Sequence, residues 1–203
     1  MLYIIRHGKT EMNSKMLMQG RSDIPLNETG IAQAEEAALR FADMGVHIDK
    51  VYTSPLIRAV QTAERIAPDA EVVIDNRLIE MDYGPYEGMD LRNPAPEVMD
   101  FFMDFVNVPA PAGMEPLPDV VKRLGTFLED IAEEAERCNV LVSTHAIAMK
   151  GALEYLTPES RGGYWAKNIG NCDIYAASVE DGSYTIPVCL EDGKDRWEGT
   201  EQN

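Results

Sequence analysis

The sequence predicts an α/β fold, a three-layer sandwich with a mainly parallel central sheet flanked by helices. Short apolar, β-branched runs recur along the 203 residues, and amphipathic helical periodicity fills the intervals between them. Strands alternating with helices imply crossover connections and a sheet covered on both faces. With 45% hydrophobic residues, the chain can build the core of one domain spanning residues 1–203.

Taken in order, the run Leu2–Ile5 is the first strand, interrupted by Arg6. A helix follows over Glu28–Asp43, with Ile31, Ala34, Ala38, Leu39 and Ala42 on one stripe. Val51–Tyr52 is the second strand and Pro55–Ile66 the next helix, where Pro55 suits a first helical turn. Val72–Ile74 is a third strand. Residues 91–118 differ in character: prolines at 94, 96, 109, 111, 116 and 118 surround a short apolar piece, Val98–Val106. In it Val98, Met99, Phe101, Phe102, Phe105 and Val106 form one helical face, opposite Glu97, Asp100 and Asp104. This stretch reads as a lid-like insertion whose apolar face either docks on the core or borders the pocket. From Leu117 the positions Val120, Val121, Leu124, Leu128, Ile131, Ala132 and Ala135 repeat with helical spacing. Val140–Val142, Ile174–Val179 and Tyr184–Leu190 complete the strands, and the polar end Glu191–Asn203 is expected to fray.

Eighteen basic residues against 35 acidic ones give a net charge of −17, which disfavours nucleic acid and anionic membranes as partners. No apolar run approaches the ~18 residues of a membrane span, and no signal peptide or anchor is expected. Cys138, Cys172 and Cys189 are odd in number and widely spaced, the pattern of reduced thiols in a cytoplasmic protein.

Four stretches could carry chemistry. Arg6-His7-Gly8 stands where the first strand stops, and ligands of open α/β sheets bind at the carboxyl ends of strands. Gly8 there lets backbone approach a ligand. His145 ends another apolar strand, just before a helix; if the two strands are neighbours, two imidazoles face one crevice. Ser54-Pro55-Leu56-Ile57-Arg58 carries Arg58 about one turn into a helix, a planar donor for a tetrahedral oxyanion. Glu80 and Asp82, in a loop punctuated by Gly84 and Gly88, are carboxylates able to protonate a leaving group, whereas Glu87 reads as a solvated loop charge. No local His or Cys pairing has metal-ligand spacing, so neither metal nor cofactor is expected.

Taken together and in this order, these stretches resemble the histidine phosphatase superfamily, the phosphoglycerate-mutase-like proteins. Asn13 and the stretch Asp23–Gly30 followed by Gln33-Ala34 are similar to the same pattern. The resemblance implies that His7 is the nucleophile that becomes phosphohistidine. It implies that Arg6, Arg58 and His145 hold the phosphoryl oxygens, that Asn13 adds a side-chain donor, and that Glu80 is the general acid. The chain departs from the family at Ala146, commonly Gly, whose backbone N–H stays available for phosphate. It departs also at Met12, usually aromatic, and at Pro116, which replaces a hydroxyl residue after Glu115. His47 matches no functional motif and reads as a structural or surface residue.

The function expected is metal-independent hydrolysis of a small phosphorylated metabolite. Broad-specificity and ribazole-phosphate phosphatases of the family both fit the size and apolar lid. A phosphoglycerate mutase is the alternative, and a non-catalytic phospho-ligand binding module is the alternative of another class. A mutase must grip a second anion, yet Leu91–Leu117 offers one basic residue, Arg92. A pure binding module would not need Glu80.

Overall fold

The structure, a computed structural model, describes residues 1–190. The expected fraying of Glu191–Asn203 lies outside the described residues. A six-stranded sheet in the order β3-β2-β4-β1-β5-β8 forms the middle layer. Strands β1 (Leu2–Arg6), β2 (Lys50–Thr53), β3 (Glu71–Ile74) and β4 (Val140–Thr144) are mutually parallel, while β5 (Ile174–Ala177) and β8 (Val188–Cys189) add an antiparallel edge. β1 and β4 are neighbours, in register from Leu2 opposite Val140 to Arg6 opposite Thr144.

Alternation along these strands divides the core in two. Leu2, Ile4, Val140 and Val142 face one cluster, and Tyr3, Ile5 and Leu141 face the other. The first cluster is closed by α4 (Pro96–Met103), α5 (Leu117–Arg137) and α6 (Ala146–Leu156), the second by α2 (Glu28–Asp43) and α3 (Ile57–Ile66). Helix α5 buries Val120, Leu124, Leu128, Ile131 and Ala135, the stripe its periodicity predicts.

Three expectations are corrected. The buried stripe of α2 is Gly30, Ala34, Ala37 and Phe41, and Leu39 is 65% exposed, because at about 3.6 residues per turn position 39 falls on the side of the helix opposite 34, 37 and 41. The apolar face expected over Val98–Val106 is split. Val98 and Phe101 are fully buried in the core, while Met99, turned about 100° from Val98, is 44% exposed, and Val106, beyond the helix end at Met103, is 61% exposed. Neither of the last two runs is one strand. Ser178 and Thr185 join through their backbones and hydroxyls, diverting the chain into a ribbon of β6 (Val179–Glu180) and β7 (Ser183–Tyr184), and Pro187, without an N–H, precedes β8.

A one-turn helix, α1 (Glu11–Ser14), follows β1 and was not expected. Its capping box pairs Thr10 and Asn13 reciprocally, each side chain accepting the other's backbone N–H at 3.2 Å. No helix among the described residues is long and apolar enough to cross a membrane.

Candidate active site

The carboxyl ends of β1, β2 and β4 meet at one edge of the sheet. His7 prolongs the β1–β4 ladder by donating its N–H to Thr144 O at 2.9 Å, so the next residue of β4's chain, His145, lies beside it. The two rings are 5.1 Å apart between centroids, and both are buried.

Hydrogen bonding sets the proton on His7. Its Nδ1 stands 2.7 Å from Gly8 O, an oxygen that can only accept, so Nδ1 carries the hydrogen and Nε2 is bare. Arg58 Nε donates to that Nε2 at 3.2 Å. Burial, then the neighbouring Arg58 and Arg6 guanidinium groups, push the His7 pKa well below the usual imidazole value. Burial and Arg58 do the same to His145, whose Nε2 lies 2.7 Å from Ser54 Oγ. Near pH 7 both rings are neutral.

The arginines are fixed by main-chain carbonyls. Arg58, fully buried in the first turn of α3, donates to Ser22 O at 2.7 Å and to Gly20 O at 2.6 Å, and desolvation lowers its pKa to about 10. Arg6 donates to Ile169 O at 2.6 Å. Two buried side-chain nitrogens here, Arg6 Nε and His145 Nδ1, have no partner among the described residues. Such atoms are costly unless a ligand meets them, and both suit an anionic oxygen.

Glu80 is 3% exposed and sits on the N-terminal turn of α6. Its Oε1 accepts from Met81 N and Ala148 N at 2.8 and 3.0 Å, and its Oε2 from Ile147 N at 3.2 Å. Asp82, the other candidate acid, instead accepts from Gly84 N and pairs with exposed Arg21 at 3.1 Å. Asn13 caps α1 through its oxygen, 3.5 Å from Asn171 Nδ2, which also donates to His7 O at 2.9 Å. Ala146 is the first residue of α6.

Gly8 differs from expectation. Its N–H is committed to Thr62 Oγ1 at 3.0 Å, and a Cβ there would collide with Gly30 O, so it serves close packing of β1's exit against α2. Glu87 is not a solvated charge either: its carboxylate accepts the successive N–H groups of Gly20, Arg21 and Ser22 at 3.0, 3.3 and 3.2 Å. Glu115 is tied to Arg123 at 2.8 Å, and Arg123 also donates to Arg77 O and Ile79 O, bracing the segment that leads to Glu80. His47 is exposed, as expected.

Two groups escaped the sequence reading. One is the Ser54 hydroxyl. The other is Lys150, whose Nζ donates to Trp165 O at 2.8 Å and lies 5.4 Å from the Phe105 ring centre. Burial, then Arg6, lower the Lys150 pKa to about 8. Its place one helical turn beyond Ala146 was the available signal.

The sequence model of the histidine phosphatase superfamily (branch 1) matches residues 2–190. Phosphoserine phosphatase 1 of Hydrogenobacter thermophilus is 29% identical over 185 residues, covering 89% of this chain and 87% of that one. A 2,3-bisphosphoglycerate-dependent phosphoglycerate mutase of Rhizobium johnstonii is 31% identical over 179 residues, covering 83% and 84%. Among solved structures, a mutant phosphoserine phosphatase of Entamoeba histolytica in complex with phosphoserine superposes with a TM-score of 0.77 at 28% identity, covering 94% of each chain. Since the match takes in all the described residues but Met1, and the paired strand-end histidines fall within it, this chain belongs to the histidine phosphatase superfamily.

Proposed function

We propose that His7, Arg6, Arg58, His145, Asn13 and Glu80 form the working site of this phosphatase, which hydrolyses a small phosphomonoester through a phosphohistidine intermediate. One observation carries the reading: a neutral His7 whose Nδ1 proton is held by Gly8 O, leaving Nε2 as a nucleophile beside a buried guanidinium. Nε2 attacks phosphorus in line, the phosphorus–oxygen ester bond breaks, and Glu80 delivers a proton to the departing oxygen. Water then attacks phospho-His7, returns a proton to Glu80, and leaves as inorganic phosphate while Nε2 is freed. Arg6 and Arg58 neutralise the phosphoryl oxygens throughout and His145 holds one of them by a hydrogen bond; Gly8 contributes packing. The reading takes residues 1–203 as one domain, with 91–118 as an insertion, working in the cytoplasm.

Phosphatase is favoured over mutase because Arg92, the one basic residue of the 91–117 stretch, is exposed and bound to Asp90 at 2.7 Å. No clamp for a second phosphate is built there. Val98 and Phe101 of the 91–118 segment dock on the core instead of bordering the pocket. Lys150 is suited to a single carboxylate, as in the phosphoserine named for two of the relatives above. The test incubates 3-phosphoglycerate with catalytic 2,3-bisphosphoglycerate and follows 2-phosphoglycerate and inorganic phosphate, alongside rapid quench of labelled phosphoserine. Phosphate release with acid-labile, base-stable label on the His7 peptide is expected. Interconversion far outrunning release, or label on Ser54, Thr144 or a carboxylate, overturns the reading.

A further inference from the structure

We infer that Ser54 is a positioning residue that fixes His145 as its Nδ1–H tautomer, so that the second histidine offers the phosphoryl group a hydrogen-bond donor. The inference rests on the proposal above that His145 contacts phosphoryl oxygens, and it follows from accounting for one hydroxyl proton.

Ser54 lies between the end of β2 and Pro55, and it is fully buried. Its Oγ accepts from Leu56 N at 3.3 Å, a local turn that orients the side chain. The only other polar contact of that oxygen among the described residues is His145 Nε2 at 2.7 Å. A serine hydroxyl carries one hydrogen and can accept two. If His145 Nε2–H were the donor, the Ser54 hydrogen would be left in a dry interior with no acceptor, at a cost of about 1–3 kcal/mol. Donation from Ser54 Oγ–H to a bare Nε2 satisfies both the hydroxyl and Nε2. The single proton of the neutral ring then sits on Nδ1, the buried nitrogen that has no partner among the described residues.

The two imidazoles thus carry their protons on the same ring position by different devices and use them in opposite senses. Gly8 O takes the Nδ1–H of His7 and exposes a bare Nε2 for attack. Ser54 blocks the Nε2 of His145 and exposes Nδ1–H. A neutral donor at this place adds no charge beside Arg6 and Arg58, whose mutual repulsion a third cation would raise. It also keeps His145 from competing with His7 as a nucleophile, because its bare nitrogen is covered by the serine.

The experiment is ¹⁵N–¹H long-range correlation spectroscopy of the histidine side chains at neutral pH. The three histidines are assigned by His47→Gln and His145→Ala, with inorganic phosphate as the ligand probe. The expected result for the wild type is a pyrrole-like Nδ1 and a pyridine-like Nε2 on His145, with Nδ1 shifting on phosphate addition. Ser54→Ala is expected to move the proton toward Nε2 and lower kcat by ~10-fold or more, short of the ~10²–10³-fold typical of losing a transition-state donor outright, with KM changed less. Ser54→Thr, which keeps the hydroxyl, is expected to restore the wild-type spectrum and rate. A pyrrole-like Nε2 in the wild type overturns the inference without reference to any variant, as does a Ser54→Ala protein with wild-type tautomer and kcat. Failure of both His145 nitrogens to respond to saturating phosphate, with the tautomer as expected, overturns instead the role of His145 as a phosphate ligand.

Discussion

Glu87 is a support placed three contacts away from His7, and its removal tests whether the site is held from behind. Its carboxylate gathers three successive N–H groups of residues 20–22, while the carbonyls of Gly20 and Ser22 point at Arg58. The short loop is therefore pinned on one side by an anion and on the other by a cation, and Arg58 reaches His7 Nε2 from that seat. Glu87→Gln removes the charge and turns one oxygen into an NH₂ that faces backbone donors. Hydrogen bonds to charged groups contribute about 1.5–3 kcal/mol each. With the side chain half-buried and the contacts at 3.0–3.3 Å, the lower figure counted for one or two of these bonds gives a loss of about 1.5–3 kcal/mol. A displacement of ~1 Å far from the chemistry can cost ~10²-fold, so kcat is expected to fall by ~10–100-fold. Urea unfolding and steady-state hydrolysis of an aryl phosphate measure the two effects. A variant with the wild-type unfolding midpoint and an unchanged kcat would refute the idea that this loop positions Arg58.

Four further outcomes are expected. Glu80→Gln lowers hydrolysis of alkyl phosphates by ~10²–10⁴-fold but that of nitrophenyl phosphate much less, because nitrophenolate leaves without a proton; equal losses would show a positioning role. His7 and His145 both have folded-state pKa values well below the free imidazole value, so below about pH 6.5 the unfolded chain binds protons that the native one refuses. Stability is then full above that pH and falls as pH drops toward the folded-state values, by up to about 1.4 kcal/mol per pH unit for each ring. Urea midpoints of the wild type and His145→Asn should diverge in slope below that pH, and parallel slopes would contradict the assignment. Lys150→Met is expected to cut kcat/KM for phosphoserine more than for a phosphomonoester lacking a carboxylate; a uniform loss would remove Lys150 from substrate recognition. Among the described residues no group of three or more His, Cys, Asp or Glu side chains is placed to hold a metal, and activity is expected to survive chelators and yield to vanadate. Chelator-killed activity restored by a divalent ion would count against it.

Much of this site was legible because its main residues are bound to periodic elements. Two apolar strands each ending in histidine, and an arginine one turn into a helix after Pro55, pointed His7, His145 and Arg58 toward one crevice on the condition that the strands are neighbours, and the β1–β4 pairing meets that condition. Glu80 could be told from Asp82 by the family pattern and by following the strand end more directly, and the structure separates them by the amides each one meets. What stayed illegible depends on loops meeting across the fold. Glu87 looks solvated until residues 20–22 are laid against it, and Gly8 looks like a ligand contact until Gly30 closes on it. The α4 segment misled for a different reason. Six apolar residues at helical spacing do not say where the helix stops, and its end at Met103 leaves Val106 outside the buried face.

The position of β1 in the sheet bears on how the protein is made. Both strands that flank it, β4 and β5, come far later in the chain, and the local pair β2–β3 forms without it. At ~5–20 residues per second, a ribosome needs on the order of ten seconds to bring β4 out after β1. For that interval the strand leading to His7 has two open edges and no native sheet partner, a state prone to wrong association. The nascent chain accordingly holds His7 long before it can use it. The two imidazoles come together only when β4 docks on β1 and sets His145 beside His7.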